Sequence, residues 1–364
     1  MQWVVSMVGI RQTPFARRGV SLFSAALLLL CHTIAVLAQT SNEKPVPILT
    51  GSAGYFTNVT GGQTELEPIV SPLVLLPLGD HWLIESRGEF EGDFERRNGN
   101  GPFGGGVDKE VEYLQADYIA ISHVTVTVGR FLTPFGIFNE RLYPIWIRSL
   151  QPLPLIFPIG TGSSNGAMLR GGFPVAPKVN INYAVYFSTL STTNALDSER
   201  TAGGRVGFFL PGPRVEVGAS FQKMLQDDRS HAVGFHFAWQ PNSVPLNLRS
   251  EYARSTSLGS GYWIEAAYRL SQVPHWQSVM RRVEVVGRAQ QFFASEYAPY
   301  YSSEYGLPAA DTQEGDFGLN YFLRDGLKAT ASYGRQFSSW GNANQWSVGI
   351  AYRFAFPLGR MGAQ

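Results

Sequence analysis

The stretch Gln345-Trp346-Ser347-Val348-Gly349-Ile350-Ala351-Tyr352-Arg353-Phe354-Ala355-Phe356 decides how this chain folds. Trp346, Val348, Ile350, Tyr352, Phe354 and Phe356 share one parity, and Ser347, Gly349, Ala351, Arg353 and Ala355 share the other. Successive side chains leave a strand on opposite faces, so a period of two over this length means a strand with one apolar face. The alternation recurs upstream. Val179, Ile181, Tyr183, Val185 and Phe187 alternate with Asn180, Asn182, Ala184, Tyr186 and Ser188. Val215, Val217, Ala219 and Phe221 alternate with Glu216, Gly218, Ser220 and Gln222, and His231, Val233, Phe235, Phe237 and Trp239 with Ala232, Gly234, His236, Ala238 and Gln240. A single such segment suits a half-buried soluble sheet equally well; a long series from Trp82 to Phe356 does not.

From Asp80 onward the pattern predicts fourteen strands, at 81–94, 110–121, 124–135, 165–175, 178–189, 201–211, 214–224, 230–241, 244–256, 261–270, 281–293, 315–325, 327–337 and 343–356. Ser122-His123, Ala176-Pro177, Gly212-Pro213, Pro241 to Val244 and Asp325-Gly326 make tight links. Between them lie 95–109, 136–164, 190–200, 225–229, 257–260, 294–314 and 338–342, several of them long; 271–280 is the exception on the tight side. Short turns at one rim and longer loops at the other are the asymmetry of an outer-membrane barrel. Lipid offers no partner to an unpaired amide, so the sheet must close. Ile48 to Asn58 and Pro68 to Leu78 add one more hairpin, turning at Gly79-Asp80, and make sixteen strands. As a periplasmic strap they would leave fourteen, and their glycines and prolines make poor central strands. The expected fold is all-β: a transmembrane antiparallel β-barrel of sixteen strands, fourteen as the alternative, with both ends periplasmic.

The beginning of the chain is not part of that fold. Arg11, Arg17 and Arg18 precede an apolar run from Val20 to Leu30, and Val36-Leu37-Ala38 offers a cleavage site. Residues 1–38 read as a secretory signal peptide, the run being too short for a spanning helix. Its removal takes three of the 29 basic residues and none of the 28 acidic ones, leaving a net charge of −2 on the barrel chain 39–364. Cys31 leaves with it, so neither a disulfide nor a thiolate metal site is possible in what remains. With 24 Phe, 16 Tyr, 8 Trp and 39 Gly, the composition is that of lipid-facing strands with interfacial rings. No basic patch or tail suits nucleic acid.

Turning the polar parity inward lines the barrel with charge. Arg87, Arg170, Arg205, Arg214, Arg249, Arg269, Arg282, Arg288, Arg324 and Lys328 face Glu85, Glu89, Asp117, Glu216, Glu251, Glu265 and Glu284. Such a density is prohibitive toward lipid and natural toward water. Part of it could be cross-strand bracing, Glu216 with Arg205 or Arg282 with Glu265. Gly99 to Gly106 reads as a flexible outer loop tip. The segment 136–164 is greasy: Tyr143, Trp146, Ile147, Leu150, Leu153, Leu155, Ile156 and Phe157 stand among prolines 144, 152, 154 and 158. Folded back into the barrel mouth it would bury these and present Glu140, Arg141 and Arg148 as a constriction; the alternative is a subunit-contact loop outside.

Val128-Gly129-Arg130-Phe131-Leu132-Thr133-Pro134-Phe135-Gly136-Ile137-Phe138-Asn139-Glu140 resembles the G-[RK]-F-x-x-P-F-G-x-x-N-E signature of the phosphate-selective porin O/P superfamily, and Glu112-Tyr113-Leu114-Gln115-Ala116-Asp117-Tyr118 also fits it. The resemblance implies a sixteen-stranded trimeric barrel that passes small solutes by diffusion past inward-folded loops. Phosphate-specific members carry an arginine ladder and a lysine cluster in the channel. Here the lysines after the signal are Lys44, Lys109, Lys178, Lys223 and Lys328, widely scattered.

The expected function is a passive outer-membrane porin for small hydrophilic solutes, weakly anion-preferring, with outer-membrane lipid and a homotrimer as partners and no cofactor. The pore candidates are Glu140, Arg141, Arg148, Arg170, Arg205, Arg249, Glu216 and Glu251. The competing readings are a structural or adhesion barrel closed by its loops, and an outer-membrane enzyme. An enzyme needs a nucleophile with a base in reach. The histidines left are His81, His123, His231, His236 and His275, without metal-ligand spacing, and His231, His236 and His275 read as interfacial anchors.

Overall fold

The computed structural model describes residues 46–96, 101–193, 196–226, 229–300, 306–324 and 326–358. The signal segment 1–38, the tip residues Gly99 and Asn100, and the tail 359–364 lie outside the described residues. Sixteen strands close into one antiparallel barrel in which every neighbour in sequence is a neighbour in space and the first strand pairs with the last.

They are β1 (Ile48–Thr60), β2 (Gln63–Leu78), β3 (Trp82–Arg96), β4 (Gly104–Ile121), β5 (Val124–Leu132), β6 (Ser163–Ala176), β7 (Val179–Ser188) and β8 (Thr201–Leu210). The second half comprises β9 (Val215–Met224), β10 (His231–Trp239), β11 (Leu246–Ser255), β12 (Gly259–Arg269), β13 (Val283–Ala294), β14 (Thr312–Arg324), β15 (Leu327–Ser338) and β16 (Ala343–Pro357). Ile48 stands opposite Pro357 and Thr60 opposite Gln345, so both ends of the barrel chain meet at the short-turn rim. The long tight-side link holds a 3₁₀ turn, Leu270–Gln272, and a four-residue α-helix, Gln277–Met280.

The first hairpin completes the sixteen, and it is longer than its sequence promised. It turns at Gly61-Gly62, both with positive φ (58° and 87°), and not at Gly79-Asp80, which instead lead from β2 into β3. The β2–β3 ladder skips residues 67–68 and 71–72, because Pro68 and Pro72 have no N–H to give. At the other end of the ledger, β5 stops at Leu132 where a strand was expected to reach 135, because Pro134 cannot donate to the ladder.

The faces follow the expected parity. Val348, Val185 and Phe235 are exposed toward lipid, while Ser347, Ala351, Ala184 and Ser188 are buried on the inner side. Phe354 and Phe356 stack at 5.8 Å near the short-turn rim, as interfacial rings do. Alternation fails at a few inner positions. Phe56, Ile69, Trp263, Val286 and Phe292 are apolar, buried, and turned into the barrel. They mark where something else fills it.

Candidate functional site

The loop between β5 and β6, residues 133–162, fills part of the barrel interior. Its base is clasped by a small set of hydrogen bonds. Thr133 N donates to the Gly162 carbonyl at 2.9 Å. The Asn139 side-chain amide donates to the carbonyls of Thr133 and Gly162, each at 3.0 Å. Gly136 turns the chain inward with φ 62°, a conformation that strains any side chain. Its N–H donates to Ser220 Oγ at 3.0 Å, and its carbonyl accepts from Arg205 at 2.8 Å. Glu251 then accepts from the backbone N–H groups of Ile137 and Phe138, the latter at 2.9 Å, and from Trp263 Nε1 at 3.1 Å. A single π-helical turn, Phe138–Leu142, follows.

This accounts for the residues of the β5 motif one by one. Phe131 packs edge-on against Tyr186 inside the barrel, Phe135 lies against Gly234, where an added Cβ would sit 2.9 Å from its ring, and Asn139 closes the loop. Arg130 shares the parity of the lipid-facing Val128. It donates to the carbonyls of Val111 at 2.6 Å and Asp197 at 2.7 Å, pinning the β7–β8 loop.

Apolar contacts carry the loop across the lumen. Phe135, Phe138, Ile156 and Ile159 pack with Trp263 and Phe292, Ile145 with Phe56 and Ile69, and Leu150 with Val286. The inner-face exceptions to alternation are thus the seats of the loop, and burial of apolar surface drives its docking. Loop carbonyls without a ladder still need donors. Lys328 gives three, to Ile145 at 3.2 Å, Trp146 at 3.1 Å and Arg148 at 2.7 Å. Asn320 donates to the Ser149 carbonyl at 2.8 Å, and Gln290 accepts from Leu155 N at 2.9 Å. Tyr143 donates to Glu89 at 2.8 Å. Burial first, then the neighbouring Glu112 and Glu89 carboxylates, hold its hydroxyl far above the ordinary phenol range, so it stays a neutral donor.

The candidate residues separate into those at the wet side of the loop and those beneath it. Arg141 pairs with Glu216 at 2.8 Å, Arg205 with Glu140 at 2.7 Å, and Arg170 with Asp117 at 3.3 Å. Arg249 belongs instead to a register row across four strands, Arg249–Glu265–Arg288–Asp316, with alternating sign. Glu251 is an anchor beneath the loop.

Three expectations change. Arg148 was expected to face the channel; it is buried, with its guanidinium over the Tyr143 ring at 4.8 Å and donating to the Gln151 carbonyl at 3.2 Å, because the proline-broken loop leaves carbonyls that it can satisfy. The suggested Glu216–Arg205 and Arg282–Glu265 pairs are replaced, since Arg141 and Glu140 arrive from the loop and Arg288 lies directly opposite Glu265. His236 is no interfacial anchor but a buried inner-face residue 3.5 Å from Glu216. In the sequence Lys328 reads only as a lumen cation, and the anchoring roles of Asn139, Tyr143, Gln290 and Asn320 are not legible there. The one available signal was apolar and small residues on the polar parity.

Open space remains on both sides of the loop. At the short-turn side a cavity of about 530 Å³ is lined by Phe173, Asn180, Asn182, Phe209 and Glu216. Beside it, about 300 Å³ is lined by Arg141, Leu142, Arg214, Glu216, Gln240 and Arg249. At the long-loop side about 280 Å³ lies among Asn58, Glu65, Glu67, Glu91, Tyr143 and Ser347. Among the described residues no group of His, Cys, Asp or Glu side chains is arranged to hold a metal ion.

The fold has known counterparts. OprB of Pseudomonas putida in its low-pH structure is 9% identical, with 85% of this chain and 92% of that one covered at a TM-score of 0.56. Salmonella typhi OmpF in complex with daunomycin is 10% identical, covering 85% and 97% at 0.55. An anion-selective porin from Comamonas acidovorans is 11% identical, covering 85% and 99% at 0.50. No family model matches the sequence and no curated protein does, so the β5 motif stands as a local resemblance. The closed sixteen-strand sheet with its lipid-facing apolar belt defines the class: an outer-membrane β-barrel of porin architecture.

Proposed function

We propose that the protein is a passive porin for small hydrophilic solutes, narrowed by the β5–β6 loop and weakly anion-preferring, without enzymatic activity. The observation that carries the charge preference is the unequal exposure of partners. Arg141 and Arg170 keep 38% and 35% of their side-chain surface open, whereas Glu216 and Asp117 keep 13% and 4%. At these two pairs a solute meets guanidinium groups before carboxylates, while in the third Glu140 is the more open partner, 16% against 9% for Arg205; in a narrow, partly dehydrated passage a few charges outweigh a net −2 spread over the chain. The preference is weak because each arginine is already paired. We take the homotrimer implied by the β5 resemblance as the assembly, which crosslinking in membranes tests.

Planar-bilayer recordings test the reading directly. Open-channel steps with a reversal potential on the anion side across a salt gradient are expected, shifting toward cations in R141A with R170A. A cation-selective wild type would overturn the charge argument. Silence in the bilayer would favour the second reading, a structural barrel closed by its own loop, which the dense anchoring of residues 133–162 also suits.

A further inference from the structure

On the outside of the barrel, basic residues gather at the long-loop rim of four adjacent strands. Arg200 extends the ladder just ahead of β8, its carbonyl accepting from Leu225 N at 2.8 Å. Lys223 near the end of β9 stands opposite His231 at the start of β10, and Arg254 on β11 neighbours them across Val233. All four are exposed and share the parity of the lipid-facing side chains. Phe221, Phe235 and Tyr252, exposed apolar rings of the same strands, lie below them toward the middle of the wall. Arg229 in the β9–β10 loop is exposed beside them. Strands lie about 4.8 Å apart, so the four positions span about 15 Å.

The cluster is local. At the corresponding height the lipid-facing residues of β12, β13, β14 and β16 are Ser260, Phe293, Gln313 and Asn344. Arg335 on β15 is engaged by Asn344 Oδ1 at 2.6 Å. The salt bridges among the described residues use none of the five. These side chains point away from the lumen, so conduction does not explain them. Cations on a lipid wall are costly in hydrocarbon and tolerated at its edge, where long side chains reach headgroups.

We propose that this patch binds an outer-leaflet lipid whose headgroup carries more than one phosphate, its acyl chains lying along Phe221, Phe235 and Tyr252. Charge complementarity at headgroup height selects the phosphates, and the aromatic row directly below receives the chains. The assignment is independent of whether the lumen conducts.

The test offers the purified full barrel, in mild detergent, a diphosphorylated glycolipid, phosphatidylcholine or inorganic phosphate, and reads bound species by native mass spectrometry. Retention of the glycolipid over phosphatidylcholine is expected, with binding weakened about 100-fold in R200A/K223A/R254A, since each charge near an anionic surface contributes about fivefold. The single variants K223A and R254A, at exposed positions, should each lose about fivefold, and K109A/R335A, on other strands, should bind as wild type does. Equal binding by the triple variant would overturn the proposal. So would displacement of the glycolipid by inorganic phosphate, which would make the patch a free-anion site. Bilayer conductance should not change in any of these variants.

Discussion

Replacing Glu251 should release the root of the β5–β6 loop. Its carboxylate is buried and accepts three N–H groups: Ile137 and Phe138 on Oε1, Trp263 Nε1 on Oε2. In Glu251→Ala those donors lose their acceptor in an apolar setting, at about 1–3 kcal/mol each. Removing the buried charge returns several kcal/mol of desolvation, so a net loss of about 3 kcal/mol of docking is expected when the two are set against each other. At 1.36 kcal/mol per factor of ten, that is roughly a 150-fold faster amide exchange in the loop root. Glu251→Gln is the graded case. Its oxygen can still serve Ile137 and Phe138, but its NH₂ would face the indole N–H, and about tenfold is expected from one lost bond of about 1.5 kcal/mol. Hydrogen exchange of a peptide covering 134–143, with β-strand peptides as reference, reads both. Single-channel noise should rise in the same order. Unchanged exchange in Glu251→Ala with an intact barrel would refute the carboxylate as anchor and leave the apolar contacts as the sole hold.

Lys328→Met removes donors from the carbonyls of Ile145, Trp146 and Arg148 and should cost about 2–3 kcal/mol of thermal stability, measured by loss of heat-modifiable mobility. Gly318→Leu pushes a side chain into Leu150; overpacking of about 1–3 kcal/mol should displace the far arm of the loop and change conductance without unfolding the barrel. Tyr143 gives the alkaline prediction. Its pKa is raised in the folded state, so its contribution is complete below the unfolded value near 10 and is lost as pH climbs above it. Wild-type stability should therefore decline above about pH 10, and Y143F should flatten that decline while losing the bond to Glu89 at every pH; identical slopes would refute it. R148A should leave ion selectivity where it is and lower stability, because that guanidinium is spent on the loop's own carbonyls.

A period of two, repeated through most of the chain, was enough for the barrel. Each strand such as 346–356 or 179–187 carries its face assignment locally, and lipid then forces closure whatever the loops do. The sorting of turns by length fixed which rim the ends share. Even the first hairpin was visible, although prolines at 68, 72 and 77 argued against it, because Pro68 and Pro72 interrupt the ladder only locally and Pro77 still stands opposite Leu83.

What the sequence could not decide was who meets whom inside. The greasy 136–164 segment signalled inward folding, but Arg148 and Arg141 look alike in a string of residues; one is buried on Tyr143 and the other lies open against Glu216. Glu251 and Glu216 share a composition and a parity, yet one caps backbone amides and the other faces the cavity. The outcomes for Arg141, Glu216 and Glu251 depend on contacts between positions more than 70 residues apart, 75 for Arg141 with Glu216 and 113 for Phe138 with Glu251, and the contact of Arg148 with Tyr143, five residues away, depends on the path of the folded loop. Alternation along one strand is a local property, set by backbone geometry. Pairing across the lumen is set by the barrel's diameter and by the path of a proline-broken loop, and only the closed structure brings those groups within reach.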